Sequence, residues 1–126
     1  MISNNAVDQA IFSMALGDVS PDSVCLIAET ESEALDLLTV TQIKPHLIFA
    51  EYGLPGFDAL RFIRTLRMFT SLSHIPVILH CQPDEIGGAI TKSGANAFYS
   101  REFSVDGMRN LLYLYLPNEI SAILLN

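Results

Sequence analysis

A chain of 126 residues, half of them hydrophobic and 17% charged, has the composition of one compact domain around a single core rather than of a disordered segment. Its formal net charge of −7 sets it against phosphate backbones, so direct nucleic-acid binding is not expected. A mean hydropathy of +0.36 is high for a soluble domain and predicts some apolar surface that meets a partner, yet no apolar run approaches the ~20 residues of a membrane span and no charged stretch precedes an apolar one as in a signal peptide.

Apolar runs alternate with helical patterns along the chain. Residues 6–16, with Val7, Ile11, Phe12, Met14 and Leu16, predict a helix that ends near Gly17. Ser23 to Ala28 is strand-like. Thr30, with Glu33 three residues on, starts a helix in the capping-box pattern, with Ala34, Leu35, Leu37 and Leu38 on its inner side. Pro45 precedes a strand over 46–51. Asp58 to Met68 predicts a helix with Leu60, Phe62, Ile63 and Leu66 available to face inward, and Ile75 to His80 the next buried strand. Residues 84–93 predict a helix weakened by Gly87-Gly88, each glycine costing about 1 kcal/mol against Ala. Ala97 to Ser100 is a short strand, and 104–116 a helix with an apolar second half, stopped by Pro117. Such alternation implies a parallel sheet with crossover helices on both faces. The first strand has little room, because only Met1, Ile2, Ser3 and two asparagines precede the first helix.

The most informative stretch is Pro45 to Gly56. An apolar run, Leu47 to Ala50, ends in one carboxylate, Glu51, and a turn marked by Gly53 and Pro55-Gly56 follows at once. An uninterrupted apolar run reads as a strand buried on both faces. In open parallel sheets the chemistry sits just beyond the carboxyl ends of such strands, so Glu51 is aimed at the place where a site would be.

This stretch closely resembles the third strand and following loop of bacterial response-regulator receiver domains. Further segments resemble that family in order and at matching separations. Ala28 and Ala34-Leu35 look like its second strand and helix, and Arg64-Thr65-Leu66-Arg67 like the end of its third helix. Ile75 to Leu79 looks like the fourth strand, Gly94 to Phe98 like the approach to the fifth, and Ser100-Arg101-Glu102-Phe103 falls on the family's Thr-Lys-Pro-Phe. The resemblance implies a doubly wound, flavodoxin-like α/β fold with a five-stranded parallel sheet of order 2-1-3-4-5, comprising residues 1–116, followed by an apolar tail over 117–126.

In that family an Asp in the Glu51 slot accepts a phosphoryl group, and here every chemistry position departs. The resemblance puts Asn4 and Asn5 where the family's acidic Mg²⁺ pair stands; hard Mg²⁺ prefers carboxylates, phosphate and water, so no metal is expected to be held there. The phosphoryl-pairing Lys becomes Arg101, and the following Pro becomes Glu102, which removes the reason for a cis bond. The switch Ser/Thr becomes Cys81, a weak donor, and the switch aromatic becomes Phe98. Glu51 and Arg101 are positioned to form a two-pronged pair that imitates the phosphorylated state; alternatively, Glu51 is a tolerated polar strand end in a decayed pocket.

Other candidates have plainer readings. His80 and Cys81 are adjacent on a strand and point to opposite faces, which argues against a nucleophile–base pair. His46 and His74 read as surface residues, and Asp58 as a helix cap. Arg61, Arg64 and Arg67 form a stripe that reads as a solvated helix face, with an acidic partner as the sharper alternative. Cys25 and Cys81 lie far apart without metal spacing and read as reduced thiols of a cytoplasmic protein.

The expected function is a pseudo-receiver: a phosphorylation-independent interaction module of two-component signalling, not an enzyme, with no cofactor. It is expected to engage a protein partner or form a homodimer through the fourth helix, fifth strand and fifth helix, with Leu112, Tyr113, Tyr115, Ile123 and Leu124 as contact candidates, and to bind neither nucleic acid nor membrane. The alternative is that the pocket around Glu51, Cys81 and Arg101 still binds or transfers an anionic small molecule such as phosphate.

Overall fold

The structure is a computed structural model, and it describes residues 1–100 and 102–116. Helix α1 spans Ala6–Val19, α2 Glu31–Thr39, α3 Ala59–Met68 and α4 Val105–Tyr115; strands β1 (Ile48–Glu51), β2 (Val77–His80) and β3 (Ala97–Tyr99) form one parallel sheet in the order β1-β2-β3. Among the described residues the two other expected strands are reduced to single residues. Ile2 forms isolated parallel bridges to Ala28 on one side and Ala50 on the other. Its N–H donates to the Phe49 carbonyl at 2.8 Å and its carbonyl accepts from Glu51 N–H at 3.1 Å. The 23–28 run forms no ladder: it meets the N-terminal residues at Ala28 and through the Leu26 carbonyl, which accepts from the Met1 amino group at 2.8 Å, and Val24 is 80% exposed.

Alternation along the strands sorts the core into two layers. Ile48, Ala50, Val77 and Leu79 face Phe62, Ile63 and Leu66 of α3 and Ala34 and Leu38 of α2. Phe49, Ile78 and Tyr99 face Phe12, Ala15 and Leu16 of α1 and Met108 and Leu112 of α4. Helices therefore cover both faces of the sheet, as the alternation of elements predicts.

Local signals set most boundaries. The Asp58 side chain accepts from Arg61 N–H at 3.1 Å and caps α3 as expected. Thr30 caps α2 by accepting from Glu33 N–H, while the Glu33 carboxylate accepts from Glu29 N–H, one residue earlier than a capping box requires. Helix α1 continues through Gly17 to Val19, past the expected end, and Val7 and Met14 lie on its exposed side. The clearest correction is the predicted 84–93 helix. A single 3₁₀ turn, Pro83–Glu85, is followed by turns in which Gly87, Gly88 and Gly94 all have positive φ, at 141°, 52° and 91°. Two adjacent glycines in conformations foreign to a helix override the propensity of the flanking residues.

Candidate functional site

The carboxyl ends of β1 and β2 bring together a group of side chains that the sequence does not place side by side. Glu51 closes β1 and His80 closes β2, and the two residues are direct partners in the parallel register. Asp8 reaches them from the first turn of α1. The chain enters that helix straight from the Ile2 bridge, which fixes where the first turn begins. One donor atom from each of Asp8, Glu51 and His80 lies within 4.8 Å of the other two, and all three residues are half-buried.

Ser3 supports this group. It is fully buried, and its hydroxyl donates to Glu51 Oε1 at 3.2 Å while accepting from Asn5 N–H at 3.1 Å. Gln9 Nε2 donates to the Ser3 carbonyl at 2.9 Å and ties the start of α1 to this turn. The His80 ring is enclosed by three aromatic rings. Phe49 stacks at 6.1 Å between centroids, Tyr99 is tilted at 5.8 Å, and Phe103 meets it edge-on at 5.1 Å. Phe49 lies two residues before Glu51, on the same face of β1, so the apolar floor and the carboxylate belong to one strand.

The electrostatics are those of two carboxyl groups sharing a partly desolvated space. Burial, and then hydrogen bonding to Asp8, pushes the Glu51 carboxyl up to about 7, against the opposing effect of the Ser3 hydroxyl. No lysine or arginine among the described residues forms an ion pair with either carboxylate; the arginines paired there are Arg61 with Glu31 and Arg109 with Asp18 and Asp106.

The expected pocket residues are distributed differently. Asn5 is the N-cap of α1, its side chain accepting from Asp8 N–H at 3.0 Å, and Asn4 is exposed. Neither is hydrogen-bonded to Glu51. Ser3 takes that place, because the bridge to the sheet falls at Ile2 and the residue directly after it turns toward the acceptor slot. Cys81 is buried just beyond β2, and burial, with the charge of Glu85, raises its thiol. Phe98 packs against the α2–α3 layer, on the sheet face opposite to Glu51; Tyr99 is the aromatic on the Glu51 side, its hydroxyl donating to the Glu102 carbonyl at 3.1 Å. Arg101 lies outside the described residues, and so does the proposed Glu51–Arg101 pair. Of the contact candidates, Leu112 is fully buried against the sheet, a correction to its placement on the outer side, whereas Tyr113 is 58% exposed and Tyr115 half-buried. Ile123 and Leu124 lie outside the described residues.

Sequence reasoning missed Asp8, Ser3 and the role of His80. Asp8 reads as an ordinary acidic residue in a helix first turn, and His80 as part of a dipeptide with Cys81. The signal that was present is the shared position of Glu51 and His80 as the last polar residue of two buried strands.

The whole arrangement resembles solved response regulators. A two-component response regulator from Legionella pneumophila is 19% identical with a TM-score of 0.74, covering 90% of this chain and 93% of that one. The phosphorylated form of a cyanobacterial phytochrome response regulator is 16% identical with a TM-score of 0.77, covering 90% and 89%. A chemotaxis response regulator of Vibrio cholerae is 16% identical with a TM-score of 0.75, covering 91% and 94%. At these identities the likeness shows the fold, which is the flavodoxin-like receiver fold. No protein-family model matches the sequence, and a search of curated proteins finds no match. Among the described residues no helix is long and apolar enough to cross a membrane.

Proposed function

We propose that this chain is a degenerate receiver, a signalling module that works through protein–protein contacts without being phosphorylated and without acting as an enzyme. In this reading the sheet order is the family's 2-1-3-4-5, with Ile2 and Ala28 as the remnants of its first two strands. The observation that carries the proposal is the state of the acceptor slot. Phosphoryl transfer to a carboxylate needs the carboxylate ionised, in line, and relieved of charge by a divalent cation and a cationic side chain. Glu51, raised to about 7, is half protonated near neutral pH and lies against a second carboxyl, Asp8. Its hydroxyl partner is the neutral Ser3, and the asparagines that stand for the acidic pair are a helix cap and an exposed residue. The same two carboxyl groups weigh against the anion-binding alternative, since an incoming phosphate would face like charge.

The test is intact-mass measurement after incubation with acetyl phosphate and Mg²⁺. The expected result is an unchanged mass. A stoichiometric gain of one phosphoryl group that disappears in Glu51→Gln would overturn the proposal.

A further inference from the structure

We infer that Asp8, Glu51 and His80 form a three-ligand site for a divalent first-row transition ion of the zinc type. Asp8 and His80 are outside the positions that the family resemblance gives to Mg²⁺, while Glu51 is the acceptor slot itself, so the site shares one residue with that pocket and draws its other two ligands from new positions. It goes beyond the reading above and does not depend on it.

The donors come from three elements, each held by backbone structure. The β1–β2 register sets Glu51 opposite His80. The double bridge at Ile2 and the Gln9–Ser3 hydrogen bond fix the first turn of α1 and with it Asp8. The donor atoms already lie within 4.8 Å of one another. A zinc-type ion about 2.0–2.2 Å from each ligand needs donors roughly 3.3–3.6 Å apart, so binding would draw the three donors closer together.

The donor set selects the class of ion. Mg²⁺ demands near-octahedral oxygen ligands and keeps several waters. A neutral imidazole nitrogen with two carboxylates suits zinc, cobalt and their neighbours, with water completing the shell. The surroundings are also those of a metal site. The Ser3 hydroxyl orients Glu51 from behind, and an apolar shell of Phe49, Tyr99 and Phe103 holds the imidazole plane. A dication would also relieve the repulsion between the two carboxyl groups of Asp8 and Glu51, which share this partly desolvated space. All three ligand residues are half-buried and not sealed, which leaves a path for the ion.

The test uses the full, untagged chain after EDTA treatment and buffer exchange. Zn²⁺ is titrated by calorimetry and Co²⁺ by visible absorption, on the parent, Asp8→Asn, His80→Gln and Cys81→Ser, with circular dichroism of each. The expected result is one ion per chain, cobalt bands of a low-coordinate site, and no displacement by millimolar Mg²⁺. Asp8→Asn and His80→Gln should each weaken binding by at least about tenfold, while Cys81→Ser should bind as the parent does. Absence of saturable binding would overturn the inference. So would unchanged affinity in both ligand variants, the mark of scattered surface carboxylates, or loss confined to Cys81→Ser, the mark of a thiol site. If His80→Gln fails to fold, Asp8→Asn decides alone, since Asp8 lies in the first turn of a helix outside the core. The phosphoryl-transfer experiment reads a different quantity: a chain that resists acetyl phosphate but ignores zinc sinks only this inference, and one that binds zinc but gains a phosphoryl group sinks only the earlier proposal.

Discussion

Glu51 ties the stability of the domain to pH. Its carboxyl is raised from the ordinary 4.5 to about 7, by burial first and by Asp8 second. In the unfolded chain it loses its proton near the ordinary value, while the folded protein holds it until about 7. Between those values the native state binds more protons, so stability falls as pH rises, and above about 7 the loss is complete. In EDTA-treated protein, Glu51→Gln, which has no proton to lose, is therefore expected to melt higher than the parent at pH 8, with the gap closing below about pH 4.5. A gap independent of pH would mean that the substitution acts through packing alone. At this scale the sequence was half legible. A single carboxylate ending a buried strand before a glycine turn marked Glu51 from the chain alone. The partners of Glu51 could not be read in the same way, because they depend on where a one-residue strand meets the sheet. A shift of one residue in that junction brings Ser3 into the place of the Asn4-Asn5 pair, and nothing in Met1 to Asn5 fixes it before the bridge at Ile2 is seen.

The arginine stripe of α3 shows how one helix face can hold residues of different kinds. Arg61 forks onto Glu31 of α2, and Arg64 is exposed. Arg67 is a clamp. One terminal nitrogen donates to the Ser73 and Ile75 carbonyls at 3.0 and 2.8 Å, and the other to the Gly94 carbonyl and Asn96 Oδ1 at 3.0 and 2.9 Å. It joins the turn after α3 to the loop before β3, and Asn96 Oδ1 also accepts from Val77 N–H at 2.9 Å at the start of β2. Arg67→Met keeps the aliphatic stem and loses the fork, and is expected to destabilise by about 2–3 kcal/mol, the range for losing hydrogen bonds to a charged group; Arg64→Met should change stability by less than about 0.5 kcal/mol. Equal small effects in denaturant titrations would return Arg67 to the solvated face that its spacing predicts. The elements themselves were largely legible: strand ends, the Asp58 cap and the two-layer alternation follow from period and capping residues. The 84–93 segment was not, because the helix period survives in its apolar residues while Gly87, Gly88 and Gly94 take conformations that only the folded chain reveals.

For the whole molecule the open question is what covers its exposed apolar surface. In α4, Leu112 goes fully inward, and its neighbours Tyr113 and Leu114 are left 58% and 79% exposed. The adjoining helix α1 leaves Val7 and Met14 exposed, and α1 and α4 pack side by side. The apolar second half of the last helix thus divides as helical geometry requires, since only about half its circumference can meet the sheet. We propose that a second copy of the chain covers this face, with α4 on both sides of a two-fold axis. A two-fold contact places each exposed residue against the same patch on its partner, so one patch serves both chains. This region of the surface carries few charges: Asp106 and Arg109 pair with each other near the start of α4, and Arg109 also reaches Asp18 at the end of α1. Light scattering across a concentration series is expected to show a mass rising toward twice 13.9 kDa. Tyr113→Lys or Leu114→Lys should hold the chain at the monomer mass, because each places one positive charge against its own copy across the axis. Both side chains are exposed in the monomer, so neither change should lower its melting temperature by more than about 0.5 kcal/mol of stability would allow. A monomer at every concentration, or a dimer indifferent to both lysines, would rule out this face as the site of self-association.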